Sequence, residues 1–549
     1  MAKLDSRGHS EGAIIKHREE ARVLPAGPLG YWERNPSVAR LPSRPLFLVT
    51  IAVAFVASVA LRGEMTSDVA WLITMCERIL NGERAYVDIF ETTPPVPMLL
   101  YMPGVLAAKL TSVTPEAATY AFAYASTALS LWLSSRILPE YVAEGGQSRW
   151  LVLMPAAVVL LILPRDVFAQ REYFAAAFSL PMVSVFIRHA QEKEWPALSD
   201  RIIAAALGGL ALAIKPPIFA LPGVFIAGHY WWRTRNLSFL LPSGLLAAGV
   251  IGLLLTAVSL MAFPDYLGEI SVAMREVYVP IRVFPLLFLA EKGCLGVLAC
   301  LGIALVLSLR EKPPVPAVFA SLAGAGFLAA YFIQGKCFYY HVFPAALFAA
   351  VAASIMVFRL VRDCVTAPQA SLVSATAVYL VALIGAVSLF LSGFDGRAPV
   401  MRDLSWARRL DHPRALAVSA LAGVSFPLAR RIGAVWVGRS HSQWIAWYTR
   451  LALQSAGLTE EERRRYHYWH ERDLRGILDE IREKTPEIII TDTAPKYSWL
   501  KQELSAMEPG FLDPYEVIAE EHKVRVLRLK ASMHASPRYA PRNAVGPSP

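Results

Sequence analysis

Residues 94–111 read PPVPMLLYMPGVLAAKLT, and how this stretch meets a membrane decides the organisation of everything after it. It is as apolar as a spanning helix, yet it carries Pro94, Pro95, Pro97 and Pro103. Proline lacks a backbone donor and its ring clashes with the preceding turn, so such a cluster breaks a helix. Irregular backbone is tolerated at membrane depth only where protein or a wet cavity covers it. The stretch therefore reads as a re-entrant or surface-lying segment that returns the chain to the side it came from. If it spanned, every later loop would change sides and the short-loop Lys and Arg would divide more evenly between the two faces. The positive-inside rule favours the re-entrant reading.

Outward from this segment the chain is apolar on a scale that soluble proteins do not reach. Of its 549 residues 55% are hydrophobic and 18% charged, against roughly a quarter charged in soluble chains. The apolar residues fall in blocks of about 17–25, the length that crosses a hydrocarbon core of ~30 Å as a helix. Spans are predicted near 45–61, 115–135, 150–163, 173–187, 202–214, 217–232, 238–262, 285–309, 315–334, 342–358 and 370–392. The expected fold is thus an α-helical polytopic membrane protein of about eleven transmembrane helices. Residues 1–44 are polar and read as a disordered cytoplasmic arm, and 45–392 as the membrane domain. Residues 393–530 read as a soluble α/β domain, with candidate strands at 415–419, 433–437, 487–491 and 524–529, and 531–549 as a disordered tail. Thr459 with Glu462 makes a capping box for a helix running to about Glu483. Strands alternating with helices suggest a small Rossmann-like layer, but no GxGxxG is present to bind a dinucleotide. The net charge of +10 is carried by basic span ends and the N-terminal arm rather than by a nucleic-acid surface. The five cysteines show no metal or redox spacing and read as buried thiols.

With 94–111 re-entrant, the loops 62–93, 164–172, 215–216, 263–284 and 335–341 share the periplasmic face with the C-terminal domain. Nearly all the polar residues able to do chemistry lie in these loops. The first, MTSDVAWLITMCERILNGERAYVDIFETTPPVP (65–97), opens a helix-like run at Asp68 and closes with Asp88 and Glu91. A carboxylate in the first turn of a helix is favoured by the helix dipole, so Asp68 has a capping role as its plain alternative. Ionisable residues at membrane depth are costly to keep, and that favours function. Arg171 and Glu172 open one span, and Lys215 sits between two others in AIKPPIF. Arg275 and Glu276 lie in the 263–284 loop, and Lys336, Tyr340 and His341 crowd another span end in GKCFYYHVFP. Each alone reads as well as a snorkelling cation, an interfacial tyrosine or a self-satisfied pair. Together on one face, several cations and a few carboxylates suit a lipid-linked phosphate and a base for an acceptor hydroxyl. Asp68, Glu91, Arg171, Lys215 and His341 are expected to converge.

An Asp early in the first outer loop, a helix ending at Asn81-Gly82, then Phe90, Glu91, Pro94 and Pro95 in the order aromatic-Glu-x-x-Pro-Pro, resembles the GT-C glycosyltransferases. Within them the pattern looks like the aminoarabinose transferase and protein O-mannosyltransferase group, whose Lys-containing turn between two spans the AIKPP motif resembles. The resemblance covers about 45–360. It implies a multi-pass inner-membrane enzyme taking a sugar from a polyprenyl-phosphate carrier on the periplasmic side and passing it to an envelope glycan, lipid or protein. Asp68 would match the proposed base, Glu91 an acidic residue near the carrier phosphate or a metal, and Lys215 a phosphate-contacting lysine. Thr92 stands where the aminoarabinose enzymes have a lysine, which would leave phosphate neutralisation to Lys215, Arg171 or Lys336. A divalent metal stays open, since no complete ligand set is visible. The competing readings are a transporter or flippase of lipid-linked sugars, for which no internal repeat is found, and a non-catalytic envelope assembly protein.

Overall fold

The computed structural model describes residues 43–140, 142, 148–282, 287, 289, 291–364 and 401–534. The expected span at 370–392, residues 1–42 of the N-terminal arm and residues 535–549 of the tail lie outside the described residues.

The apolar blocks form helices because they are rich in Ala and Leu, and the hydroxyls within them donate back to carbonyls of the preceding turn, as Thr74 does to Ala70 and Ser184 to Leu180; each stops at a Pro, Gly or charged cluster. They are α1 (Ser43–Leu61), α2 (Ser67–Leu80), α3 (Pro95–Leu99), α4 (Met102–Leu110), α5 (Pro115–Ile137) and α6 (Arg149–Leu161). Then follow α7 (Arg171–Glu192), α8 (Leu198–Ile214), α9 (Leu221–Thr234), α10 (Leu245–Ala262), α11 (Lys292–Arg310), α12 (Val315–Gln334) and α13 (Phe343–Cys364). Among the described residues six helices are long and apolar enough to cross a membrane: α1, α7, α10, α11, α12 and the helix at 339–360 that contains most of α13. Of the eleven expected spans, α5 has the length but not the hydropathy, α6, α8 and α9 have only 13, 17 and 14 residues, and 370–392 lies outside the described residues.

α7 and the helix at 339–360 are mostly buried and form the centre, whereas α1 and α10 expose most of their length. The exposed side chains of α10, among them Leu253, Leu254, Val258 and Met261, are apolar throughout, as lipid-facing residues are. α8 and α10 touch through their backbones. A Cβ on Gly209 would lie 2.8 Å from the Ala248 carbonyl oxygen, and one on Gly252 would lie 2.9 Å from that of Gly209. Small residues at helix contacts give close packing where the hydrophobic effect gives none.

Two groups of contacts sort the connecting loops. At one end Gln170 Nε2 donates to Thr66 Oγ1 (2.8 Å), Tyr266 to the Thr92 carbonyl (3.3 Å), and Lys336 to the carbonyls of Tyr278 and Ile281. At the other, Arg136 pairs with Asp200 (3.3 Å) and Arg359 donates to the Lys312 carbonyl (2.8 Å). The proline-rich stretch is broken at 100–101 into α3 and α4. Both of its ends meet the first loop: Thr93 is held beside Glu91, and Lys109 donates to Asn81 at the end of α2 (3.1 Å).

The C-terminal region holds a five-stranded sheet of order β2-β1-β3-β5-β4. The strands are β1 (Arg414–Val418), β2 (Val435–Trp436), β3 (Ile488–Asp492), β4 (Tyr515–Glu521) and β5 (Val524–Leu529). β2-β1-β3 is parallel, in register Arg414↔Val435 and Ala415↔Ile488, as a Rossmann-like layer requires. β4 and β5 depart from that expectation. Only His522 and Lys523 connect them, both at positive φ, and so short a link forces an antiparallel hairpin. Helices α14 (Trp444–Leu453), α15 (Glu460–Lys484) and α16 (Ser498–Met507) pack with the sheet. The Thr459–Glu462 capping box is formed, with both reciprocal hydrogen bonds present.

Candidate active site

The site is built at the ends of four elements that the chain brings together from far apart. Asp68 lies in the first turn of α2, where Thr66 makes no side-chain cap. Arg171 and Glu172 open α7, Lys215 terminates α8, and His341 lies in the short turn that leads into α13. Arg171 spans the first loop, donating from Nη1 to Thr93 Oγ1 (2.6 Å) and from Nη2 to Asp68 Oδ2 (3.2 Å). One residue along, the fully buried Glu172 receives the Lys215 ammonium and lies 3.4 Å from His341 Nε2. Lys215 donates also to Gln334 Oε1 at the end of α12 (2.7 Å). Adjacent residues of α7 thus carry two linked ion pairs, Asp68–Arg171 and Glu172–Lys215. They are held on the end of a buried helix, which fixes their positions better than a loop could.

Polar atoms of this cluster remain without partners. Arg171 Nε, Glu172 Oε2 and His341 Nδ1 are all buried and make no hydrogen bond among the described residues. An orphaned buried polar atom costs roughly 1–3 kcal/mol. Three of them around two ion pairs mark a place built to receive a polar group.

The remaining expected residues take other positions. Glu91 is buried beside the cluster, but both its oxygens are occupied, one by Trp71 Nε1 (2.6 Å) and one by the Thr93 amide (2.6 Å). It fixes the first loop. Lys336 is buried with its ammonium over the Tyr278 ring (4.1 Å) and ties 335–341 to 263–284. Burial, with Arg282 nearby, pushes its pKa down to about 8. Tyr340 packs edge-on against His341 at 4.7 Å. Asp88, Arg275 and Glu276 are not gathered into the cluster. Asp88 accepts from the Arg84 amide (2.8 Å) in an exposed turn, and that hydrogen bond lowers its pKa. Glu276 accepts from Trp469 Nε1 (2.8 Å) of the C-terminal domain, and Arg275 is exposed. Among the described residues no three His, Cys, Asp or Glu side chains come together as a metal site, so no step is routed through a metal.

The C-terminal domain contributes what the sequence did not flag. Its Arg430 grips Glu77 (2.5 Å) and Glu116 (2.5 Å), and Phe90 donates its amide to the Arg439 carbonyl (2.7 Å). Trp71, fully buried in α2, packs against Phe426 and His441 of that domain, each at 5.5 Å. Burial holds the His441 imidazole below its ordinary pKa, while Glu91 and Asp68 pull it upward. Trp444 and Tyr448 close around Tyr278 at 6.0 and 6.1 Å. Thr93 and Gln334 were also missed. Gln334 had one signal, as a lone amide ending an otherwise apolar span.

No family model and no curated protein matches the chain. Its fold is similar to that of ArnT from Cupriavidus metallidurans in two crystal structures. The one bound to undecaprenyl phosphate superposes with a TM-score of 0.53 at 15% identity, covering 89% of this chain and 98% of that one. The apo structure gives a TM-score of 0.53 at 16% identity, covering 90% and 99%. At this identity the likeness is one of fold, and it extends over the C-terminal domain as well as the helices. The GT-C fold implied by the motifs of the first loop is the fold the chain has.

Proposed function

We propose that the chain is a membrane glycosyltransferase that moves a sugar from a polyprenyl-phosphate carrier to a cell-envelope acceptor on the periplasmic side. The observation that carries this reading is the pair of half-buried cations, Arg171 and Lys215, on adjacent ion pairs with Arg171 Nε unpartnered. A guanidinium with a spare donor is suited to a phosphate oxygen. A fold shared with a protein crystallised with undecaprenyl phosphate supports the same donor class.

In the proposed reaction the acceptor hydroxyl oxygen attacks the anomeric carbon. The bond from that carbon to the carrier phosphate breaks, and its electron pair leaves with the phosphate. Asp68 takes the hydroxyl proton, being the cluster carboxylate that keeps solvent contact, with a side chain 27% exposed against 0% for Glu172. Arg171 and Lys215 stabilise the charge that develops on the departing phosphate. The shared end of loops 62–93, 164–172, 215–216, 263–284 and 335–341 would face the periplasm, with 94–111 re-entrant.

The test is binding of undecaprenyl phosphate to the purified protein, together with lipid extracts of a deletion strain. Saturable binding and accumulation of a polyprenyl-phospho-sugar are expected. A protein that binds no polyprenyl phosphate, in a strain whose lipid-linked sugars are unchanged, would refute the proposal.

A further inference from the structure

Beside the cluster, between the first loop and α15, lies an open cavity of about 560 Å³. This is within the ~300–1,000 Å³ usual for small-molecule sites. One wall is Phe90, the residue before the buried Glu91, so the cavity adjoins the first-loop segment that leads to Thr93 and its bond with Arg171. The opposite wall is the face of α15 carrying Tyr468, Asp473 and Gly476.

Gly476 is the informative residue. It sits well inside a 25-residue helix, where glycine costs about 1 kcal/mol relative to alanine. Neither of glycine's usual reasons applies. Its φ is not positive, and a Cβ added there would meet nothing within 4 Å. What a side chain would meet is the cavity.

The charges around the cavity are already matched. Arg439 (3.2 Å) and Arg472 both pair with Glu269, and Arg475 pairs with Glu471. Glu480 accepts from the Arg439 amide (2.9 Å), Asp479 pairs with Arg482 (2.8 Å), and Asp473 accepts from the Ala446 amide (2.8 Å). An anionic lipid headgroup would have to work against a lining with four carboxylates, Glu471, Asp473, Asp479 and Glu480, and only three cations, Arg439, Arg472 and Arg475. A neutral ligand rich in hydroxyls would not, because paired ions keep spare lone pairs and N–H groups for hydrogen bonds. Tyr468, 60% exposed, adds an aromatic surface against which a sugar ring can lie.

We infer that this cavity binds the acceptor, and that the acceptor is a neutral carbohydrate whose reactive hydroxyl is led past Phe90 toward Asp68. The inference rests on the glycosyltransferase reading above. Its test uses full-length protein in detergent, with maltohexaose, mannohexaose and an arabinohexaose as neutral probes. A serine- and threonine-containing peptide and an anionic phospholipid are the contrasting probes. At least one hexasaccharide should bind saturably to the wild type. Gly476→Trp, which fills the cavity while raising helix propensity, should weaken that binding about tenfold or more. Tyr468→Ala should weaken it in the same direction, and Gly476→Ala should leave it unchanged. Undecaprenyl phosphate should bind all four proteins alike. Oligosaccharide binding that survives Gly476→Trp, or saturable binding of only the peptide or the phospholipid, or of no probe, overturns the inference. Loss of undecaprenyl phosphate binding in the wild type would instead sink the glycosyltransferase reading and leave the carbohydrate cavity standing.

Discussion

Lys215→Met is the perturbation on which sequence and structure disagree most sharply. From the sequence the change looks mild, since methionine keeps the length and apolar stem of a lysine beside a membrane. In the structure the Lys215 ammonium is the cation of Glu172, whose side chain is 0% exposed. Removing it leaves that carboxylate with His341 at 3.4 Å as its nearest partner and one oxygen already unpaired. Breaking one partner out of a buried pair costs about 3–5 kcal/mol, because a charge is stranded rather than because the pair itself was worth so much. The double variant Lys215→Met/Glu172→Gln removes both charges, and most of the lost stability should return. Thermal unfolding of the detergent-purified wild type, both single variants and the double variant measures the cycle. A Lys215→Met protein as stable as wild type, or a double variant no more stable than Lys215→Met, would refute the reasoning. The rescued double variant also separates folding from function. If it is stable yet fails to bind undecaprenyl phosphate, the ammonium is needed by the donor and not only by Glu172.

Asp68→Asn should cut single-turnover transfer by on the order of 10²–10⁴ while keeping undecaprenyl phosphate binding, since the base acts on the acceptor; wild-type turnover would remove Asp68 from the mechanism. Arg430→Ala strands Glu77 and Glu116 at the junction of the two domains and should cost about 3 kcal/mol. Faster limited proteolysis of the C-terminal region is the readout, and an unchanged rate would contradict it. Burial raises the Asp473 pKa from 3.8 to about 7. A carboxyl raised on folding contributes stability that is full below its unfolded pKa and lost as pH rises through the folded one. The C-terminal domain should therefore weaken from about pH 4 to 7, and Asp473→Asn should flatten that slope in thermal melts across the range.

The features legible in the sequence were those set by composition and local chemistry. Blocks such as 315–334 have no reading other than a helix, and α12 occupies those residues. The box at Thr459 and Glu462 is closed by two residues three apart, so it needs no tertiary information. β4 was missed because YEVIAEE is mostly exposed on the edge of the sheet and has no apolar run to announce it. The cluster itself was legible in part. Asp68, Arg171, Lys215 and His341 stood out as ionisable residues at span ends, but Thr93, Gln334 and the C-terminal rings carry no charge and gave no such signal.

Charge at a bilayer edge tells that a partner exists without telling which one, and this is where the sequence ran out. The first loop also carries Glu64, Glu77 and Glu83, and its carboxylates divide by what they touch. Glu77 is taken by Arg430 and Glu64 by Arg431 (3.2 Å), both from the C-terminal domain. Glu83 is taken by Arg78, which also donates to the Gly438 carbonyl (2.7 Å) and so serves the same junction. Glu276, chosen from another loop as a supporting group, is held by Trp469. Each of these satisfies a docking contact between domains. Asp68 and Glu172 are different. Their cations come from within the helical domain, and their cluster combines two linked ion pairs with unpartnered Arg171 Nε, Glu172 Oε2 and His341 Nδ1. A contact that only held the fold together would gain by satisfying those atoms, at roughly 1–3 kcal/mol each. That they stay open where these four element ends meet is the physical reason to propose the chemistry there rather than at the better-satisfied charges around it.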